Sequence, residues 1–275
     1  MELGLENRVA LIAGGSSGIG LAVAKELASE GAHVAICGRD TDRLANAERA
    51  VKEVARGRVG AAQVDITDTG VARRWVDEVA ADFGALHIVV VSGGSPPFGT
   101  ATAFELDEYR AAVDRVLFPA INLALAALPH LTVAGWGRLL FVASETAAVP
   151  IGPLTLSGMT RTALVRFAQS LAADVGRAGI TVNVLAPGGV RTPPMERAAV
   201  KLAGSGDVEA QLAAMGHHSA VGRLARPEEV AAVAAFLASA RASYVTGTVH
   251  LIDGGAGGAG PDLPHLTAAR KDTYT

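Results

Sequence analysis

The sequence predicts an α/β protein: one domain built on a doubly wound parallel sheet of about seven strands, with helices on both faces. Short runs rich in β-branched residues alternate along the chain with longer stretches that are rich in alanine and leucine. The short runs are almost continuously apolar, which is typical of parallel strands that helices cover on both sides. Such alternation requires right-handed crossover connections. Since no linker divides the 275 residues, we expect one domain over residues 1–260.

The strands are expected where the apolar runs are short and continuous. They cover residues 8–13, 33–37, 59–63, 87–91, 138–143, 180–185 and 249–252. The helices are expected between them, over residues 18–30, 41–56, 68–83, 105–132, 156–176 and 227–239.

Two segments do not follow this pattern. Residues 192–224 are rich in glycine, proline and methionine, and we expect them to be irregular. They form either a lid over a site or an ordinary surface excursion. Residues 261–275 follow a glycine-rich stretch and are expected to form a flexible C-terminal tail.

Composition and charge argue against several classes of function. The net charge is −3, the pI is about 6.2 and no block of like charges stands out, so nothing indicates binding to nucleic acid or to a membrane surface. The apolar runs are too short to cross a bilayer, and the polar, acidic N-terminus is unlike a signal peptide. Cys37 is the single cysteine, so no internal disulfide can form, and no spacing of His, Cys, Asp or Glu indicates a metal site. We therefore expect a cytoplasmic globular protein.

A glycine-rich turn, AGGSSGIG, follows the first strand and opens the first helix. Glycine permits positive φ and close approach of the backbone to a ligand, and the N-terminus of a helix supplies free N–H groups for a pyrophosphate. In this position the turn is typical of a Rossmann-type dinucleotide site. The expected binding residues are Gly14, Ser16, Ser17, Gly18, Ile19 and Gly20.

Two other interpretations of the turn remain. It is either a tight turn without a ligand or a hydrolase nucleophile elbow, because residues 14–18 also match G-x-S-x-G. The elbow is disfavoured because it normally follows a later strand of its sheet, with an acid and then a histidine further along the chain.

The end of the second strand indicates which dinucleotide is bound. Sites that choose NAD place an acidic residue there for the ribose 2′-hydroxyl. Here Gly38 occupies that position and Arg39 follows it, and a guanidinium suits the 2′-phosphate of NADP. We therefore expect NADP(H), with NAD(H) as the alternative. Arg43, one helical turn further on, either assists or is merely solvated.

Six motifs lie in order along residues 3–255, namely AGGSSGIG, QVDIT, VVVSGGS, NVLAPGGVRT, GRLARPEEVA and LIDGG. In these motifs the chain resembles the short-chain dehydrogenases/reductases, close to the acyl-carrier-protein ketoreductase type. The resemblance implies further cofactor-binding residues, which contact the adenine, follow the fourth strand or hold the nicotinamide carboxamide. They are Asp65 and Ile66, then Ser92, Gly93 and Gly94, and finally Pro187, Gly188, Val190 and Thr192.

The catalytic segment, SETAAVPIGPLTLSGMTR, departs from the family pattern. Such reductases use a tyrosine as general acid, a lysine that lowers its pKa and orients the ribose, a serine that binds the substrate oxygen and an asparagine that completes a proton relay. Here the serine is Ser144, but Ser157 and Arg161 stand at the tyrosine and lysine positions, and the asparagine position falls on Val116. No tyrosine or lysine lies between the fifth and sixth strands, so the replacements are not an error of alignment.

These replacements change the chemistry that the site can perform. A serine hydroxyl is a far weaker acid than a tyrosine, and an arginine stays protonated and cannot pass a proton along a relay. Arg161 can still donate hydrogen bonds to the ribose hydroxyls. Ser144 and Ser157 could form a two-hydroxyl pocket for a substrate oxygen, with Arg161 as a positive charge that stabilises an oxyanion. The alternative is that Ser157 and Arg161 are relics in an exposed cleft.

Three other groups are candidate proton donors. Glu145 follows Ser144 directly, but successive side chains at a strand end alternate, so it is expected to face away. His217 and His218 lie in the irregular segment, where histidines are more often solvated loop residues.

Three functions remain open. The first is an atypical NADP(H)-dependent oxidoreductase that acts on a carbonyl or alcohol. The second is a non-redox isomerase, dehydratase or cyclase, and the third is a non-catalytic protein that binds NADP(H). We favour the first because the motif from Pro187 to Thr192, which the resemblance assigns to the nicotinamide, is intact.

The expected partner is a small-molecule substrate, which the sequence does not identify. A homo-oligomer, dimer or tetramer, is expected through the long apolar helices near 105–132 and 156–176.

Overall fold

The computed structural model describes residues 2–258, and within them seven strands form one parallel sheet. The strands are β1 (Val9–Ala13), β2 (His33–Gly38), β3 (Val59–Gln63), β4 (Ile88–Val91), β5 (Gly137–Val142), β6 (Ile180–Pro187) and β7 (Val249–Ile252). They lie in the order β3-β2-β1-β4-β5-β6-β7. This order confirms the predicted doubly wound sheet.

The strand order reverses beside β1. The chain runs outward from β1 through β2 to β3 and then returns to place β4 against the other side of β1. In open α/β sheets, ligands bind at the carboxyl ends of the strands where this reversal occurs. The topology therefore places a crevice beyond Ala13 and Val91, which are paired at the ends of β1 and β4.

Helices cover both faces of the sheet. They are α1 (Gly18–Ser29), α2 (Thr41–Lys52), α3 (Thr69–Phe83), α4 (Leu106–Ala134), α5 (Thr155–Val175), α6 (Pro193–Ala203), α7 (Val208–Gly216) and α8 (Pro227–Ala238). One apolar core lies between the sheet and α3, α4 and α5, and the other lies between the sheet and α1, α2 and α8.

Strand β1 shows how the sequence builds these two cores. Val9, Leu11 and Ala13 are buried in the core on the α3–α5 side, whereas Ala10 and Ile12 are buried in the core on the opposite side. Side chains alternate along a strand, so a strand buried on both faces must be apolar at every position.

Side-chain caps fix where α2 and α3 begin after their strands. The carboxylate of Asp40 accepts a hydrogen bond from Arg43 N, and that of Asp68 accepts from Gly70 N and Val71 N. The last turn of α3 closes on Gly84, which has a φ of 82°. These caps hold the two chain segments that leave β2 and β3 beside the crevice.

Helix α4 is the longest helix that the structure describes. It has 29 residues, and by length and composition alone it could cross a membrane. In the fold it packs against α3, α5, β4 and β5, with its apolar residues contributing to the core on that side. This packing within the domain explains why α4 is so apolar.

The segment expected to be irregular contains two helices. Pro193 and Pro194 occupy the first turn of α6, where their fixed φ favours a helix, and Asp207 caps α7 by accepting from Glu209 N and Ala210 N. Gly204 ends α6, and this interruption hides the helical periodicity in the sequence. Whether the segment acts as a lid stays a prediction. The tail expected to be flexible, residues 261–275, lies outside the described residues.

Candidate functional site

A cleft of about 840 Å³ lies at the predicted crevice. It is bounded by the turn between β1 and α1, the ends of β2 and β3, the loop after β4 and the start of α6. The sequence-predicted residues that line it are Gly14, Ser16, Ser17, Gly18, Ile19, Arg39, Asp65, Ile66, Ser92, Gly93, Gly94, Arg161 and Thr192. The other predicted residues, Gly20, Ser144, Ser157, Pro187, Gly188 and Val190, are not among those lining it.

The backbone conformation and close packing of the turn between β1 and α1 require glycine at three positions. Gly14 has a φ of 74°, and a side chain there would collide with the carbonyl group of Ser92. Gly18 has a φ of 55°, and a Cβ on Gly20 would collide with the carbonyl oxygen of Gly14. Ser17 caps α1 without a side-chain hydrogen bond to it, so the first N–H groups of the helix are left for a ligand. The turn therefore fits a pyrophosphate.

Arginines gather at the end of the cleft beyond β2. The side chain of Arg39 is 76% exposed, and its Nη1 lies 3.8 Å from a carboxylate oxygen of Asp65. Gly38 packs so closely on Ser16 that a Cβ there would lie 2.7 Å from Ser16 Cβ, which leaves no room for an acidic side chain. Arg43 also lines the cleft. This end is therefore suited to an anionic group.

Asp65 is held in its ionised form beside these arginines. Burial by itself would raise its pKa, but hydrogen bonds from Thr67 N (3.0 Å) and Thr67 Oγ1 (2.8 Å) lower it below the ordinary value. The charges of Arg39 and Arg115 act in the same direction. Arg115, on α4, and Arg197, on α6, also line the cleft, although the sequence analysis did not single them out.

Arg161 is an internal brace and not a relic in an exposed cleft. It is only 8% exposed; its Nη1 donates to the carbonyl oxygen of Val142 (3.1 Å), and its Nη2 donates to those of Gly93 (3.0 Å) and Gly94 (2.6 Å). Burial lowers its pKa to about 10, so it stays charged at neutral pH. Its Nε is buried and has no hydrogen-bond partner among the described residues.

Ser144 and Ser157 are joined through a residue that the sequence analysis missed. Thr146 N donates to Ser144 Oγ (3.2 Å), and Thr146 Oγ1 lies 3.1 Å from Ser157 Oγ. Thr146 is 4% exposed, whereas both serines are partly accessible. The signal for it was the Ser-x-Thr sequence after a strand, where a serine hydroxyl often binds the N–H two residues later.

The residue at the position predicted for the family's asparagine, Val116, is apolar. Val116 is 3% exposed, and a Cβ on Gly94 would lie 2.9 Å from Val116 Cγ2. Asn122 is used elsewhere: it accepts from Arg73 Nε and donates to the carbonyl oxygen of Thr69, which ties α4 to α3. Neither Val116 nor Asn122 is therefore available for a proton relay.

The segment after β6 closes on the glycine turn. Thr192 caps α6, its Oγ1 donates to the carbonyl oxygen of Val190 (3.3 Å), and its Cγ2 would lie 3.2 Å from a Cβ on Gly18. Gly188 follows β6 and donates its N–H to the carbonyl oxygen of Ile252. The sequence-predicted residues of this segment therefore reach the cleft at Thr192.

Glu145 faces the ends of β6 and β7. A Cβ on Gly188 would lie 2.9 Å from Glu145 Oε2 and 3.0 Å from Asp253 Cβ. Burial, followed by the charge of Asp253, raises the pKa of Glu145, while His218 acts in the opposite direction. His217 and His218 are both exposed.

The fold and its glycine turn define a Rossmann-type α/β protein. A family model described as "Enoyl-(Acyl carrier protein) reductase" matches residues 13–257. With the relatives below, this match shows that the chain belongs to the short-chain dehydrogenase/reductase family.

Proteins of similar sequence match this chain over nearly its whole length. A cis-4-hydroxycyclohexanecarboxylate dehydrogenase of Sinomonas cyclohexanicum is 34% identical over 90% of this chain and 96% of its own. The structure of L-sorbose reductase from Gluconobacter frateurii, complexed with NADPH and L-sorbose, is 33% identical, covers 92% of this chain and 98% of its own, and has a TM-score of 0.88. The structure of a short-chain dehydrogenase/reductase from Mycobacterium ulcerans is 30% identical, covers 98% of this chain and 96% of its own, and has a TM-score of 0.85. The chain is accordingly an oxidoreductase of a family that interconverts carbonyls and alcohols.

Proposed function

We propose that the protein is an NADP(H)-dependent oxidoreductase that interconverts a carbonyl and an alcohol without the tyrosine and lysine of its family. The observation that carries this proposal is the contrast between a cleft whose glycine turn fits a dinucleotide and an altered catalytic segment. The glycine turn leaves the backbone open to a pyrophosphate, whereas Ser157 and Arg161 stand where the tyrosine and lysine are expected.

The residues of the cleft fit NADP(H). Gly14, Gly18 and the N-terminus of α1 would hold the pyrophosphate, Asp65 would face the adenine, and Arg39 would bind the 2′-phosphate. The buried Nε of Arg161, unpartnered among residues 2–258, supports the placement of a ribose hydroxyl beside it. When bound, the cofactor supplies or accepts a hydride at its nicotinamide ring.

NADP(H) is favoured over NAD(H) by the chemistry at the end of β2. The guanidinium of Arg39, whose side chain is mostly exposed and lies 3.8 Å from Asp65, is suited to a phosphate, and Gly38 leaves no carboxylate at the end of β2 for a 2′-hydroxyl. The NADPH complex of the similar sorbose reductase agrees with this choice.

Ser144 and Ser157 would bind the substrate oxygen. Both residues are partly accessible, and Thr146 contacts their hydroxyl groups through its N–H and its own hydroxyl. Arg161 donates to three carbonyl oxygens, so its positive charge would act on an oxyanion through space and not by direct contact.

We further propose a cytoplasmic homo-oligomer. A groove between α4 and α5 is lined by Tyr109, Val113, Phe118 and Met159 together with the charged Arg110 and Asp114, and Phe118 and Met159 are 52% and 38% exposed. Exposed apolar side chains on two long helices support pairing with a second copy of the chain.

A substrate screen tests the proposed reaction. Carbonyl compounds and alcohols are supplied with NADPH or NADP, and the absorbance of the reduced nicotinamide is followed for the wild type and for the double variant S157Y/R161K. The proposal expects net oxidation or reduction by the wild type, and family-type reductase activity in the double variant if its scaffold is still competent. Turnover of a substrate with no change in nicotinamide absorbance would indicate a non-redox enzyme instead.

A further inference from the structure

The start of α6 packs against the glycine turn of the cleft. A Cβ on Gly18 would lie 3.2 Å from Thr192 Cγ2 and 3.9 Å from Pro193 Cδ. Pro194, in the same turn of the helix, lines the cleft. The first turn of α6 therefore lies beside the N-terminus of α1, where the pyrophosphate of a dinucleotide is proposed to bind.

Arg197 lies one helical turn further along α6 and also lines the cleft. Residues three or four apart occupy the same face of a helix, so Arg197 shares a face with Pro193 and Pro194. Side chains of a helix also lean back towards its N-terminus. These two rules direct the side chain of Arg197 back along α6, towards the glycine turn.

The charges around the cleft leave Arg197 without a neutralising partner among the described residues. Five arginines but only two aspartates line the cleft, in a chain whose net charge is −3. Asp65 lies 3.8 Å from Arg39 at the end of the cleft beyond β2. Asp40 lies at the same end, 3.7 Å from Arg43. A guanidinium that no carboxylate neutralises, on the wall of a cleft, is suited to an anionic group of a ligand.

A second arginine holds the helix that carries Arg197. Arg191 donates to Glu196 Oε1 (3.2 Å) and to both carboxylate oxygens of Glu209 (2.7 and 3.1 Å), which ties the start of α6 to α7. Its backbone N–H donates to the carbonyl oxygen of Ala225 (2.8 Å). These contacts anchor the segment that leads into α6, so Arg197 is presented to the cleft by a helix that is held at its base.

We propose that Arg197 binds the pyrophosphate of the dinucleotide from the side of α6. This role rests on the proposed function, and it adds a phosphate contact separate from that of Arg39. The 2′-phosphate assigned to Arg39 is present in NADP(H) alone, whereas every pyridine dinucleotide carries the pyrophosphate. Arg197 therefore strengthens the binding of NADPH and NADH by the same factor and does not choose between them.

Calorimetric titration of folded variants with NADPH and NADH tests this role. R197A is expected to bind each dinucleotide about tenfold or more weakly, because a charge-assisted hydrogen bond to the pyrophosphate is lost. R197K keeps the charge and should recover part of the loss. The matched control is K201A, which removes an exposed cation of the same helix that is not among the residues lining the cleft. It should bind both dinucleotides as the wild type does.

The double variant R39A/R197A separates the two arginines. Because they are assigned to different phosphates, their losses in NADPH affinity should multiply. An NADPH affinity of R197A within about twofold of wild type overturns the role of Arg197, and so does a double variant that binds NADPH no more weakly than R39A. A loss for NADPH alone would assign Arg197 to the 2′-phosphate and would also overturn the proposal. Absence of dinucleotide binding by the wild type would remove the proposed function and this role together.

Discussion

The guanidinium of Arg161 donates a hydrogen bond of 2.6 Å to the carbonyl oxygen of Gly94. The same side chain also reaches Gly93 and Val142, so one residue of α5 holds the loop after β4 to the end of β5. A planar guanidinium can direct several N–H groups at fixed angles, whereas a lysine ammonium is a single point of donation. Arg161 is therefore a structural brace along one wall of the cleft.

Loss of this brace is expected to destabilise the fold. Hydrogen bonds from a charged donor contribute about 1.5–3 kcal/mol each, and unmade bonds leave buried carbonyl oxygens unsatisfied. We expect R161M to lower the free energy of unfolding by about 2–4 kcal/mol and R161K by less, since it keeps the charge. Urea denaturation measures both. The control R166M removes an exposed arginine from the same helix and should change stability by less than about 0.5 kcal/mol. Equal effects of R161M and R166M on the free energy of unfolding would show that the hydrogen bonds of Arg161 do not stabilise the fold.

Gly14 is expected to be indispensable for cofactor binding. Gly14 and Gly84 both have positive φ, but a Cβ on Gly84 would meet no atom within 4 Å, whereas one on Gly14 would meet the carbonyl group of Ser92. G84A should therefore cost only the backbone strain, about 1–2 kcal/mol, and leave NADPH binding unchanged. G14A should abolish detectable binding. Calorimetric titration of the two folded variants compares them, and normal NADPH affinity in G14A would contradict the assignment of the turn.

Arg39 is expected to distinguish NADPH from NADH. Its removal takes away a charge-assisted hydrogen bond to the 2′-phosphate, so R39A should bind NADPH about tenfold or more weakly, with little change for NADH. R177A, an exposed arginine just after α5 and not among the residues that line the cleft, is the control. An equal loss for both dinucleotides would mean that Arg39 does not read the 2′-phosphate.

The half-buried Glu145 is expected to make stability depend on pH. Its pKa is raised in the folded protein above the ordinary value of 4.5, so the folded state binds more protons between those two values. Its contribution to the free energy of unfolding therefore falls as pH rises through that window. E145Q removes this dependence, and its stability relative to wild type should increase from about pH 4 to about pH 8. Urea denaturation across the range checks this, and a constant difference would show that Glu145 titrates normally.

Most of the fold follows from local patterns in the sequence. All seven described strands lie close to their predicted positions, and β1, β4, β5 and β6 are buried along their whole length, as apolar runs predict. Boundaries were less accurate: α2 ends at Lys52 and not at residue 56, and β6 continues to Pro187. The helices α6 and α7 were missed because proline and glycine obscure their periodicity.

The environment of single side chains was harder to predict. The sequence placed Arg161 one helical turn after Ser157, but not its three carbonyl acceptors, two of which come from a loop that lies far away in the chain. The position of the Glu145 carboxyl group against Gly188 depends on how β5, β6 and β7 pair. Local patterns carry no information on such long-range contacts.

We propose that this chain retains a nucleotide cleft while the usual proton donor of the family is replaced. Isothermal titration calorimetry with NADPH, NADP, NADH and NAD measures whether the cleft binds a dinucleotide. We expect saturable binding at one site per chain, tightest for the two phosphorylated dinucleotides. No heat of binding with any of the four, from protein shown to be folded, would contradict it.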